Sequence, residues 1–293
     1  MTVPFPAFRS CVLVVLFLAI SQQLVSQSVR AVDDENAEKN EEQVARKERY
    51  TNWMRDYAEK TKVKLIGGDG TQDEFAKMVP QPVFRYSDEE HRIPDATLWV
   101  WVRDSRPVAF QKVEGNNHGG GRQWTICFAS LSEGLVNVSW QARPDFAAKK
   151  PGLKFNPITN ADAPSDNPRL RKAQIKSLKD RFSARFGVKD DGTSGSEARI
   201  IAKALFEYED DTTKAPLGAI FGMTSTGTNP SVLLLIEARK DKTGALQWEY
   251  ALARMTSFSI RARLDDNEIW AEPDAGNGAF ENWLYYFLRR DFE

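Results

Sequence analysis

The chain contains one stretch of sequence twice. From Pro82 to Trp140 the first copy reads PVFRYSD, ATLWVWV, PVAFQKVE and RQWTICFASLS. From Ala204 to Leu264 the second copy follows in the same order with ALFEYED, GAIFGMT, SVLLLIEA and LQWEYALARMT. The first two blocks match at an offset of 122 residues and the last at 124. The sequence therefore predicts a duplicated unit, with two residues added in the turn between the second and third blocks.

Both copies have the pattern of antiparallel strands. In the first copy, the aliphatic residues from Leu98 to Val102 alternate with tryptophans, and turn residues follow at 104–107. In the second, the run from Val232 to Ile236 is apolar without alternation, which predicts a strand covered on both faces. A turn at 241–244 comes next. Because turns this short join only antiparallel strands, we expect antiparallel sheets.

Three segments place large apolar side chains at helical spacing. The first predicts a helix over about 41–62 through Tyr50, Trp53, Met54 and Tyr57. The second predicts a helix from Pro168, capped by Asn167, to Gly187 through Ile175, Leu178, Phe182 and Phe186. The third predicts a helix over 279–290 through Phe280, Trp283, Leu284 and Phe287.

These patterns together predict an α+β fold. It comprises two copies of an antiparallel β-unit, at 82–140 and 204–271, with one central connecting helix and helices at both ends. The linker and central helix occupy 144–187, and residues 43–293 form one compact domain. The sequence leaves open whether the two units fuse into one sandwich or form separate sheets.

The N-terminal residues predict export. Ten apolar residues from Cys11 to Ile20 are too few for a membrane span and are typical of a secretory signal peptide, with cleavage after Ala31 or Ser21. An uncleaved anchor is the alternative. Residues 32–42 are rich in acids and predict a disordered spacer. We therefore expect a periplasmic or extracellular protein that contacts the membrane only through residues 1–31.

Composition and motifs exclude several classes of function. A formal net charge of −1 argues against nucleic acid as the main partner. Once the signal segment with Cys11 is removed, two histidines and one cysteine, Cys127, do not supply the usual zinc ligands without carboxylates. No nucleotide-binding or serine-hydrolase motif occurs. We therefore expect no catalytic residue, no metal and no cofactor. Cys127, in a slot that holds Ala251 in the second copy, is expected to be an inert buried thiol.

Four residues are candidates for binding: Trp248, Tyr250 and Arg254 on one strand face, and His118 in a glycine-rich loop. Arg254 would hold a carboxylate or phosphate; the alternative is an ion pair with Glu237 or Glu249. Trp99 and Trp101 would stack on sugars, but their counterparts Phe221 and Met223 favour core positions instead.

The strings PVFRYSD, LWVWVRDSRP, FASLSEG, SVLLLIEAR and QWEYALARMTS resemble an uncharacterised family of exported planctomycete-type bacterial proteins. The resemblance extends from about Glu41 to the C-terminus. It implies export, and it implies no activity, substrate or catalytic residue. The glycine-rich loop around His118 and the TLWVW strand depart from the family pattern.

Three functions are consistent with the sequence. The first is a non-catalytic binding or interaction protein of the cell envelope, whose partner is an envelope protein or a small ligand. The second is a carboxylate-based secreted hydrolase with a cleft between the repeats, using acids such as Asp265, Asp266 or Glu268. The third is a purely structural envelope component. Two carboxylates facing each other at about 5 to 10 Å would favour the hydrolase.

Overall fold

A computed structural model describes residues 40–42, 44–67, 72–118, 121–140, 143–188, 194–209 and 216–289. The predicted signal segment and most of the acidic spacer lie outside the described residues. The chain divides into two compact units, Met1–Tyr50 and Thr51–Glu293. The described part of the first unit belongs to a helix, α1, which spans 40–59. All further contacts concern the second unit.

The second unit consists mainly of strands. Its first half contains β1 (Lys62–Leu65), β2 (Glu74–Phe75), β3 (Lys77–Met78), β4 (Phe84–Asp88), β5 (Ile93–Arg103), β6 (Arg106–His118), β7 (Gly121–Ser130), β8 (Val136–Trp140), β9 (Arg143–Ala147) and β10 (Asn156–Pro157). A helix, α2 (Pro168–Lys179), precedes the second half. That half contains β11 (Phe182–Phe186), β12 (Ser196–Glu197), β13 (Arg199–Ile200), β14 (Phe206–Glu209), β15 (Pro216–Thr224), β16 (Val232–Lys240), β17 (Leu246–Arg254), β18 (Ile260–Leu264), β19 (Asn267–Glu272), β20 (Gly278–Ala279) and β21 (Trp283–Arg289).

The predicted α+β class is wrong. Among the described residues, about 50% lie in strands and 14% in helices, so this part of the protein is mostly β, and its C-terminal part is not helical. The segment 279–290, predicted as a helix, contains β21 instead. A short aromatic run fits both helical and strand spacing, and aromatic residues favour strands once a neighbouring strand offers hydrogen bonds. Here β7 is that neighbour.

The central helix begins where it was predicted and ends early. Asn167 caps it by accepting hydrogen bonds from the backbone amides of Arg169 (2.9 Å) and Leu170 (3.3 Å). The helix ends at Lys179, and the remainder of the predicted segment forms β11, in which alternate residues are buried. The prediction of a single helix to Gly187 is therefore wrong in its second half.

The described strands form four antiparallel sheets in two matching pairs, which confirms the predicted antiparallel pairing. The small sheets have the orders β2-β1-β8-β9 and β12-β11-β18-β19. The first large sheet has the order β20-β21-β7-β6-β5-β3, and β4 also pairs with β5. The second large sheet has the order β10-β17-β16-β15-β13, and β14 also pairs with β15. Residues at the same place in these matching orders are called equivalent below.

The registers locate the two added residues of the second half. Ala96 lies opposite Glu114, and Gly218 lies opposite Glu237. The offset between equivalent residues of the two copies is therefore 122 before the β5–β6 and β15–β16 turns and 123 after them. It reaches 124 in the next strand, where Gly115 lies opposite Trp124 and Ala238 opposite Trp248. One residue is thus added in each of two turns. The sequence prediction had placed both in one turn.

The large sheets pack face to face. Their shared core includes Leu98, Val100, Phe110, Cys127 and Ala129 from the first sheet and Ile220, Leu233, Leu235, Ala251 and Ala253 from the second. The outer face of the second large sheet packs against α2 and the second small sheet. On the first large sheet, Phe128 contacts Trp140 and Phe146 of the first small sheet. The two copies therefore share one sandwich of large sheets, with a small sheet outside each.

Cys127 lies inside this core, as predicted. Burial raises the pKa of its thiol to about 12. At pH 8 a thiol with this pKa is almost fully protonated, and the thiolate, which is the reactive form, is nearly absent. In a Cys11→Ser variant, we expect no reaction with a disulfide reagent at pH 8 in the native state, and one equivalent after unfolding in guanidinium chloride. Rapid labelling of the native protein would contradict a buried position.

Candidate binding groove

A groove of about 1130 Å³ lies at the end of β17. Leu252, Ala253 and Arg254 all line it, although successive side chains of a strand point to opposite faces of the sheet. A cavity that contacts three consecutive strand residues must run along the edge of the strand. Aromatic side chains form much of its wall: Phe155, Tyr250, Trp270, Phe280 and Trp283.

The edge of β17 in this groove carries backbone groups that no described strand pairs. Ile158 donates its backbone amide to the Trp248 carbonyl at 2.8 Å, and β10 pairs with β17 only at Asn156 and Pro157. Because alternate residues of a strand direct their amide and carbonyl to the same side, the next groups on this side belong to Leu252. They open into the groove.

The equivalent edge in the first copy is covered. β21 pairs with β7 over seven residues, from Trp283 opposite Ala129 to Arg289 opposite Gln123. Phe128, the equivalent of Leu252, lies opposite Leu284 in this ladder. The two copies therefore offer the same strand edge, which a seven-residue strand covers in one and a two-residue strand in the other.

Arg254 lines the groove but directs its donors to its own chain. Its Nε donates to the Thr256 carbonyl at 2.7 Å, and its Nη2 donates at 2.8 Å to the carbonyls of Ser257 and Phe258. The guanidinium lies 4.7 Å from the ring centroid of Trp283, and Nη1 is 4.0 Å from a carboxylate oxygen of Glu272. Burial lowers the pKa of Arg254. The residue holds the turn after β17, and its acidic neighbour is Glu272 instead of the expected Glu237 or Glu249.

The other predicted binding residues lie in different surroundings. Tyr250 lines the groove and packs edge-to-face on Phe182 at 5.1 Å. Trp248 is buried in the core between the second large sheet and the second small sheet. The side chain of His118 lies outside the described residues. Only Tyr250 and Arg254, of these four, are placed together at the groove.

The acids named for a hydrolase form a surface turn. Asp265 and Asp266 have φ values of 48° and 67°, which fit a type I′ turn between β18 and β19. Asp265 accepts a hydrogen bond from Arg181 Nε at 2.9 Å, and Glu268 pairs with Arg261 at 3.2 Å. These carboxylates do not line either cavity that we describe.

A second, smaller cavity of about 450 Å³ lies where the two copies meet. On its floor, buried Glu237 accepts hydrogen bonds from Tyr208 Oη (2.8 Å) and Arg106 Nη2 (2.5 Å). Arg239 contacts Glu237 at 3.3 Å and Glu133 at 2.8 Å. Burial raises the pKa of Glu237, and the nearby arginines oppose this shift.

Sequence reasoning did not select this cavity, although a signal was present. Glu237 is the acid that ends the apolar run SVLLLIEA, and Glu114 holds the same place in the first copy. Tyr86 and Tyr208 likewise match between PVFRYSD and ALFEYED. An acid and a tyrosine that occur at matching positions of apolar strands in both copies indicate a buried polar pair.

No protein-family model, no curated protein and no solved structure matches the chain. Within the described ranges, no helix is both long and apolar enough to cross a membrane. In the same part of the chain, no three potential metal-ligating side chains of His, Cys, Asp or Glu come together.

Proposed function

We propose that the protein is a non-catalytic interaction protein of the cell envelope, which holds an extended peptide segment of a partner protein along the open edge of β17. The observation that carries this proposal is the difference between the two copies. The edge of β7 is paired by β21, whereas the equivalent edge of β17 opens into a groove. Adding a strand to an exposed sheet edge is a common mode of peptide recognition.

The chemistry of the groove favours an apolar or aromatic segment. Its walls carry the aromatic rings described above, and Lys150 at its rim is paired with Glu281 at 2.5 Å. In the first copy, the strand that fills the equivalent edge has the sequence WLYYFLR. A partner segment of similar composition would pair through its backbone and place alternate side chains against the rings. The predicted export signal would deliver the protein to envelope partners.

The hydrolase alternative has less support. Glu133 and Glu237 line one cavity, but both contact Arg239. Each oxygen of Glu237 already accepts a hydrogen bond, one from Arg106 and the other from Tyr208. A catalytic acid or base needs an oxygen that faces substrate. The carboxylates of this cavity therefore fit a structural ion-pair network better than a catalytic pair.

A Leu252→Pro variant tests the proposed function. The substitution removes the amide that faces the groove, and it leaves the ladder to β16 intact because residues 251 and 253 supply the groups on that side. We expect the wild-type protein to bind a solubilised synthetic peptide with the sequence of residues 283–289, and Leu252→Pro to weaken this binding at least tenfold. Fluorescence anisotropy of the labelled peptide measures both affinities.

A Leu252→Ala variant is the matched control, since it shortens the side chain and keeps the amide. It should retain binding within a few fold. Amide hydrogen exchange adds a readout that does not depend on a variant: the amides of Leu252 and Arg254 should slow when peptide is added. Unchanged exchange at both residues, or equal peptide affinity of the proline variant and the wild type, would contradict the proposal.

A further inference from the structure

The groove beside β17 is closed at one end by β10. Asn156 lies opposite Tyr250, and Pro157 lies opposite Glu249. A strand that pairs with the open groups of Leu252 would lie on this same edge of the sheet, in line with β10. Because two strands cannot occupy one position along an edge, such a strand must end, or turn away from the sheet, before it reaches Asn156.

The first copy indicates the direction in which a segment runs along this edge. Ser130, the equivalent of Arg254, donates its amide to the Asn282 carbonyl at 3.1 Å. Two residues later in the chain, Leu284 lies opposite the equivalent of Leu252. Both β21 and β10 run antiparallel to the strand that they cover. A segment in the same direction therefore passes Arg254 first and Leu252 next, and its C-terminal end points toward β10.

The corner where the chain enters β10 limits the length of such a segment. The amides of Gly152 (2.8 Å) and Leu153 (3.2 Å) both donate to the Ser132 carbonyl, so the chain approaches β10 from the first copy. Gly152 packs directly on Ser130, and a Cβ at this residue would lie 2.1 Å from the Ser130 carbonyl oxygen. Close packing therefore fixes the corner. In the first copy, by contrast, β21 continues past the equivalent point as far as Arg289.

The corner offers hydrogen-bond donors to a carboxylate. Lys154 and Phe155 both line the groove directly before β10. Among the described residues, no acceptor receives a hydrogen bond from either of their backbone amides. The Lys154 side chain is exposed, and it pairs with no acid in the same part of the chain. Backbone amides and a cationic side chain are donors that capture the C-terminal carboxylate of a peptide.

Lys154 differs in this respect from the other charged residues that line the groove, because all of those have described partners. The pairs are Glu133 with Arg239 (2.8 Å), Lys150 with Glu281 (2.5 Å), Glu272 with Trp270 Nε1 (3.1 Å), Asp274 with the Ser259 amide (2.5 Å) and Arg254 with the Thr256 carbonyl (2.7 Å). A segment that ends at the corner would bring its negative charge to the one lining charge without a described partner.

We propose that the groove recognises the C-terminus of the partner protein, and that the terminal carboxylate binds at the corner before β10. The carboxylate faces the amides of Lys154 and Phe155 and the Lys154 ammonium. The last residue of the partner lies opposite Leu252, and the residues before it run past Arg254. This inference rests on the proposed function, because it concerns the same groove and the same strand pairing. A partner chain that continued beyond the corner would meet β10 and leave the sheet.

Three forms of one peptide test the proposal. The peptide has the sequence of residues 283–288, WLYYFL, behind an N-terminal solubilising tag. It ends in a free carboxylate, in a carboxamide, or in an added Gly-Ser-Gly-Ser tail. In fluorescence anisotropy, we expect the first form to bind about tenfold more tightly than either of the others, because only this form brings a carboxylate to the corner. The tailed form has the same net charge as the first, so it controls for attraction by charge alone.

Lys154→Met tests the corner itself, since it removes the ammonium and keeps the length of the side chain. We expect it to weaken binding of the free-carboxylate form about fivefold and to leave binding of the carboxamide form unchanged. Lys149→Met is the matched control, because Lys149 is exposed in the same connection and is not among the residues that line the groove. It should bind all three forms as the wild type does. Both lysines are exposed, so both variants should fold normally.

The outcomes distinguish this proposal from the proposed function. A preference for the free carboxylate that Lys154→Met reduces and Lys149→Met does not would support recognition of the C-terminus. Equal affinity of the three forms, lost in Leu252→Pro, would leave the strand pairing in place and overturn recognition of the C-terminus. A preference for the free carboxylate that Lys154→Met leaves unchanged would overturn the assigned corner. Binding of none of the three forms would refute both proposals.

Discussion

Replacing Lys112 by methionine is expected to lower the free energy of unfolding by about 3 to 5 kcal/mol, because it leaves a buried carboxylate without its cation. Glu114 is 1% exposed and lies 3.8 Å from Lys112 Nζ. Its Oε1 accepts from Tyr86, and its Oε2 has no hydrogen-bond partner among the residues that the structure describes. Methionine matches the length of lysine and fills the space, so the cost comes from charge rather than from a cavity.

The same substitution also removes two hydrogen bonds between the copies. Lys112 Nζ donates to Asn229 and to the Met255 carbonyl, both of which belong to the second copy. Burial lowers the pKa of Lys112, and the charge of Glu114 opposes this shift. Urea unfolding followed by circular dichroism measures the change.

The double variant Lys112→Met/Glu114→Gln is the matched control. Glutamine still accepts the hydrogen bond from Tyr86 and carries no charge, so the double variant should recover at least half of the stability lost by Lys112→Met. If the double variant were as unstable as the sum of the two single variants, the two charges would not interact. The role assigned to the buried pair would then be wrong.

Replacing Trp99 by alanine is expected to cost about 3 to 5 kcal/mol, the usual range for truncating a buried large aromatic side chain. Trp99 is completely buried, and its Nε1 donates to Thr97 Oγ1 at 2.9 Å. Thr97 in turn donates to Met54 Sδ of α1 at 3.2 Å. The alanine would leave a large cavity under the first large sheet and remove one link of this chain. A melting temperature lower by about 6 to 20 °C should follow.

Phe75→Ala provides the comparison, because Phe75 is 60% exposed on the edge of the first small sheet. Its melting temperature should change by no more than a few degrees. The comparison also tests the earlier alternative that Trp99 and Trp101 stack on sugars, since a ligand-contacting tryptophan on the surface would be replaced at little cost to stability. A small effect of Trp99→Ala would contradict its core position.

Several features followed directly from the sequence. The alternation of Leu98, Val100 and Val102 and the short turns predicted antiparallel strands, because side-chain period and turn length are local properties of a chain. The uninterrupted apolar run at 232–236 predicted a strand covered on both faces, and its residues are all buried. Cys127 and Ala251 occupy matching positions of the two copies, and the small apolar residue in the second copy predicted a buried thiol in the first. Each of these depends only on residues that are neighbours in sequence, or on the match between the copies.

Tertiary structure alone decided the C-terminal segment and the site. Phe280, Trp283, Leu284 and Phe287 satisfy helical spacing, but β7 offered an unpaired edge, and that distant edge made the segment a strand. Of the described strands, only β10 pairs with the equivalent edge of β17, and a groove remains beside it. Glu237 and Arg106 lie 131 residues apart, and the packing of the two copies brought them together. Edge pairing and contacts between copies depend on distant residues, which local patterns do not encode.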